Sequence, residues 1–112
     1  MTVNVFFSLL VGVILLVPGV LGTFGALPKN DWVGIRMNAV MRNEETWAAA
    51  HRAGGPWLVA AGIVALITSF VVLFAHPDPT GVTSIEAIGM VSSFVIAGIG
   101  AWVGQSAAKR VG

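Results

Sequence analysis

The chain has 112 residues, 56% of them hydrophobic and only 10% charged, with a net charge of +1. A soluble domain carries about 25% charged residues, so this chain cannot cover a water-facing surface and reads as a single integral membrane domain spanning residues 1–112. It has no cysteine, which excludes a disulfide framework, a thiolate metal site and a cysteine nucleophile, and its small net charge leaves no basic patch for nucleic acid.

The first apolar run covers residues 3–25, "VNVFFSLLVGVILLVPGVLGTFG". About 20 apolar residues suffice to cross roughly 30 Å of hydrocarbon. The run is too long for a signal peptide and no Lys or Arg precedes it, so it reads as a retained span. Pro18 removes a backbone donor inside it and predicts a kink. Gly19, Gly22 and Gly25 predict a groove on its later half.

A polar stretch of 28 residues follows, from Pro28 to Gly55. Loops longer than about 12–15 residues are functional or disordered as a rule. Trp32, Val33, Ile35, Met37, Val40, Met41 and Trp47 make this one too apolar for a solvated linker. Its second half carries helix punctuation: Asn43 as N-cap, Glu44 and Glu45 in the first turn, His51 and Arg52 in the last, Gly54 as the stop. The expectation is a short interfacial helix over Glu44–Ala53, with Glu44, Trp47 and His51 sharing one face.

The second span is expected over 56–75, with Pro56 at its first helical position. "HPDPTG" then forms a tight turn. The third span is expected over 82–103, opened by a Thr83–Glu86 capping box that accounts for the acid at its edge. Close backbone approach holds such spans together. Ser93, Ala97, Gly100 and Gly104 form one small-residue stripe suited to it, and Ala61, Ala65 and Ser69 form another.

All six Lys and Arg residues fall between the first two spans or after the third. The positive-inside rule then places that stretch and the C-terminus in the cytoplasm and the N-terminus outside. Trp32, Trp47, Trp57 and Trp102 agree, since all four fall near the same interface. The fold class is thus an all-α integral membrane protein, with three transmembrane helices and a cytoplasmic interfacial helix between the first and second.

The composition argues against chemistry of its own. No nucleophile–base set, carboxylate pair or phosphate loop is visible, so the chain reads as a non-enzyme. His51 and His76 lie about 37 Å apart at helical rise, which excludes a shared haem, and no cofactor or metal is expected. Polar residues within the spans are too few for a transport pathway.

"PKN", "GIR" and then Trp47 with His51-Arg52 resemble the signature of the SdpI/YfhL family of small bacterial membrane proteins. The matching positions are Pro28, Asn30, Gly34, Ile35, Arg36, Asn43, Trp47, His51 and Arg52. Met37 stands where that family often has Thr. The resemblance implies toxin immunity, or signalling by holding a repressor at the membrane. Asn30, Gly34, Arg36, Asn43, Trp47, His51 and Arg52 would then be the partner-binding residues. The partners expected are membrane lipids and other membrane proteins. The small-residue faces alone suggest a second reading, an accessory subunit of a larger inner-membrane complex.

Overall fold

The computed structural model describes residues 3–111, and its regular structure is entirely helical. Helix α1 spans Val3–Thr23, α2 spans Glu44–Ala75 and α3 spans Pro79–Val111, with one 3-10 turn at Val40–Arg42 before α2. Each of the three α-helices is long and apolar enough to cross a membrane. They run in antiparallel succession in a body 50 Å long and 19 Å wide. Helix α2 lies in the middle and packs on both others, whereas α1 and α3 hardly touch.

No separate interfacial helix exists over Glu44–Ala53. Those residues are the first turns of α2, which continues unbroken through Gly54, Gly55 and Pro56 to Ala75. Tertiary contact overrides the local stop signals. A Cβ on Gly54 would lie 2.5 Å from the Gly100 carbonyl oxygen, and one on Gly55 would strike the Thr23 hydroxyl and the Gly19 carbonyl. Both glycines are therefore sites of helix–helix contact, and ending the helix here would forfeit both interfaces. Pro56 costs one backbone hydrogen bond, to the Arg52 carbonyl.

The third helix also departs from expectation. It starts at Pro79, where the Asp78 carboxylate accepts the Gly81 N–H at 2.7 Å. Proline at the first helical position loses nothing, because that N–H has no helical partner anyway. The Thr83–Glu86 capping box is not formed. Thr83 donates to the Pro79 carbonyl, and Glu86 turns into the bundle, where it is 8% exposed. At its other end α3 runs past the expected limit at residue 103 to Val111. Helix α1 keeps Pro18 buried within it and ends in a Schellman motif: Ala26 N–H donates to the Leu21 carbonyl and Gly25, at φ +73°, to that of Gly22.

Helix α1 has 21 residues against 32 in α2 and 33 in α3. At about 1.5 Å per residue, the longer pair outruns it by roughly 16 Å at the end where α2 begins. Residues 24–43 fill that missing third position. Ile35, Ala39 and Val40 are buried there against Trp47, Ala50 and Ala108, so the polar stretch of the sequence carries a hydrophobic core of its own.

Small residues set the helix contacts. Gly12 and Gly62 bring α1 and α2 together, since a Cβ on Gly62 would lie 2.9 Å from the Gly12 carbonyl oxygen. Between α2 and α3, Ser93 donates to the Ala61 carbonyl at 2.8 Å. Gly100 packs on Trp57, Gly104 packs on the Ala50 carbonyl, and Ala97 adjoins the same core. Lipid gives apolar side chains no reason to leave it, so this close approach and these hydrogen bonds hold the bundle.

Candidate functional site

Residues 26–43 return over α2 through a short series of hydrogen bonds. Asn30 closes the first turn: its Oδ1 accepts the N–H groups of Trp32 and Val33 at 2.8 and 2.7 Å, and its amide donates to the Pro28 carbonyl at 2.9 Å. Gly34 then takes φ +115°, a conformation that side-chain-bearing residues avoid. It also has no room, because a Cβ there would lie 2.6 Å from His51 Nε2. Past this turn, Ile35 drops its side chain between Gly54 and Gly104.

The anchors stand on α2. His51 is 1% and Trp47 2% exposed, and their rings lie against each other with centroids 4.2 Å apart and planes tilted by 35°. Trp47 Nε1 donates to the Leu27 carbonyl at 2.9 Å. The Ile35 N–H donates to His51 Nε2 at 2.8 Å, and His51 Nδ1 lies 2.8 Å from the Trp47 carbonyl. An N–H donor facing Nε2 and a carbonyl facing Nδ1 fix one neutral tautomer, with the proton on Nδ1. Asn43 finishes the segment. Its side chain accepts the Thr46 N–H while Thr46 Oγ1 accepts the Asn43 N–H, each at 2.9 Å, and Thr46 also reaches the Val40 carbonyl.

Glu44, Trp47 and His51 do share a face; Trp47 and His51 turn inward on it, and Glu44 stays exposed at its rim. With Gly22, Leu27 and Pro28 they line a cavity of about 220 Å³ between the end of α1 and the start of α2. Trp47 is consequently no interfacial tryptophan. It lies ten residues, about 15 Å, beyond Trp57 along α2 and is enclosed by protein.

Residues 26–104 match the profile of the SdpI/YfhL protein family. The chain belongs to that family of small membrane proteins. Searches of the curated proteins and of the solved structures give no match. The family match begins where α1 ends and covers the returning segment, α2 and most of α3.

Within this SdpI/YfhL core the expected partner-binding residues divide in two. Trp47 and His51 are enclosed, Gly34 makes the turn over His51, Asn30 spends its amide on the main chain of the segment, and Asn43 caps α2 by accepting the Thr46 N–H. Arg36 is exposed and makes no hydrogen bond or ion pair among the described residues. Arg52 is exposed too, with its guanidinium over Gly25 at the end of α1. The small-residue stripe of Ser93, Ala97, Gly100 and Gly104 belongs to the α2–α3 contact.

One polar cluster escaped the sequence reading. Ser8 donates to Glu86 Oε1 at 3.0 Å and shares a hydrogen bond with Ser69, so one hydroxyl group ties all three helices. Ser8, Ser69 and Glu86 were each visible as rare polar residues in apolar runs. What the sequence lacked was the register that brings them to one level. Among the described residues no set of His, Cys, Asp and Glu could hold a metal ion.

Proposed function

We propose that the protein is a non-enzymatic membrane protein of the SdpI type, acting in toxin immunity or membrane signalling through the exposed rim of the 26–43 segment. The carrying observation is Arg36, which pairs with no other described residue and is presented immediately after the His51-bound Ile35. A guanidinium is suited to a carboxylate or a phosphate, which it can bind bidentately. The positive-inside rule supports a cytoplasmic location for this end in a bacterial inner membrane, with the N-terminus outside.

Expression in a host sensitive to a membrane-active peptide toxin tests the immunity arm, and capture of a membrane-recruited repressor tests the signalling arm. Arg36→Ala should abolish whichever effect is found while membrane insertion and protein level stay unchanged. Equal loss of protein level would assign Arg36 to the structure instead. The accessory-subunit reading would make the chain migrate with larger partners in mild detergent. Its support is reduced, because the small-residue stripes that suggested it are spent between α2 and the other helices.

A further inference from the structure

The 28–34 turn does not stay above the bundle. Trp32 and Val33 line a cleft of about 170 Å³ together with Ile14, Leu15 and Pro18 of α1 and Leu58 of α2. Pro18 lies about 7.5 Å and Ile14 about 13 Å below the end of α1 at helical rise. Trp57, beside Leu58, and Trp102 are exposed on the other two helices and mark the headgroup–acyl boundary at this end. Leu16 packs on Gly62, so Ile14 and Leu15 lie a turn or more of α2 deeper than Trp57. The turn therefore reaches below the level of the tryptophan pair.

The residues at its tip suit that depth. Trp32 is 86% and Val33 42% exposed, beside Ile14 and Val17, which are 55% and 50% exposed on the lipid face of α1. Non-helical backbone survives in hydrocarbon only when its polar groups are paired. Asn30 pairs the two N–H groups of Trp32 and Val33, and Pro28 has none to pair. Gly34 turns the chain back toward His51.

We infer that residues 28–34 form a re-entrant clasp whose tip, Trp32–Val33, sits among the acyl chains of the adjoining leaflet and closes the Ile14–Pro18 cleft over a lipid acyl chain. The occupant is an acyl chain because no side chain lining the cleft is polar in more than the Trp32 ring N–H, and because the cleft adjoins the exposed Ile14 at a depth where lipid tails are the solvent. The flanking cations, Lys29 before the tip and Arg36 after it, can extend back to the headgroups.

The chain has no cysteine, so single-cysteine variants carry one label each. Val33→Cys and, separately, Trp32→Cys are labelled with bimane in phosphatidylcholine vesicles, with Ile14→Cys and Asn38→Cys as lipid and water references. Phosphatidylcholine brominated in mid-chain should quench the label at 33 and 32 to the extent seen at 14. Aqueous iodide should quench it severalfold less than at 38. Iodide quenching at both tip positions equal to that at 38, with bromolipid quenching lost, would put the tip in water and overturn the inference. Having two tip positions keeps the test valid if Trp32 proves necessary for folding.

Discussion

His51→Phe removes both hydrogen bonds of one ring, of which the bond from the Ile35 N–H is the one that crosses to the 26–43 segment. The variant keeps an aromatic ring against Trp47 but removes the acceptor for the Ile35 N–H, which donates at 2.8 Å to His51 Nε2 in a site where Ile35 is 4% and His51 1% exposed. A buried donor left without a partner costs about 1–3 kcal/mol. The three helices keep their other contacts, so this cost falls on closure of the 26–43 segment over α2. Near 2 kcal/mol, the open fraction of that segment rises about thirtyfold. Ala39→Cys places a thiol at a site 4% exposed, and its labelling rate in vesicles reads the open fraction directly. The His51→Phe background should accelerate labelling by one to two orders of magnitude. His51→Gln, whose side-chain oxygen can accept the same N–H, should recover part of the protection. Labelling within twofold of the parent in both backgrounds would refute the view that His51 holds the segment closed.

The same bond makes closure sensitive to pH. Protonation of Nε2 replaces the acceptor by a donor, so the bond exists only for the neutral ring; closure is complete well above the ordinary imidazole range, near pH 6.5, and weakens as pH falls below it. Labelling of the Ala39→Cys thiol, corrected for thiolate fraction, should rise from pH 7 to pH 5 when His51 is present and stay flat in the His51→Phe background. Gly55→Val should push α1 off α2 against the Gly19 carbonyl and Thr23, lowering thermal stability in detergent by about 1–3 kcal/mol; equal stability would mean the helices slide without cost. Ser8→Ala removes the hydroxyl linking Ser69 and Glu86 and should cost about 0.6–1.7 kcal/mol, the measured scale for such bonds in bundles. Ser92→Ala, on the lipid-facing side of α3, is the matched control and should cost nothing.

The spans were legible because their signal is cumulative: some 20 apolar residues outweigh any single polar one. Their ends were not. Gly54-Gly55-Pro56 reads locally as a stop, and only the approach of Gly100 and Thr23 shows that the glycines are contacts. Thr83 and Glu86 have capping-box spacing, but the helix had already begun under the Asp78 cap. Asn43 was readable as an N-cap because capping is settled within four residues. The candidate site was half legible for a related reason. Helical spacing shows that Glu44, Trp47 and His51 share a face, but not which way it turns. That direction depends on Gly22 and Gly34, which are bare enough to let His51 pack between them.

This inward turn changes how losses of function must be interpreted. Trp47 and His51 carry the chain rather than present themselves, so replacing either should open the segment and displace Arg36 with it. A functional defect in such a variant would say nothing about partner contact unless a thiol introduced at position 39 remained protected. Arg36→Ala runs the other way: the guanidinium makes no bond to the described residues, so closure should persist while any charge-dependent contact is lost. Trp32 offers a third pattern, since its ring faces outward below the frame. Trp32→Ala should leave the position 39 thiol protected and Arg36 in place yet weaken lipid anchoring of the turn. Reading labelling at position 39 beside activity therefore separates frame, contact and anchor, and a partner that binds through the frame itself would be revealed by Arg36→Ala having no effect while His51→Gln restored both closure and function.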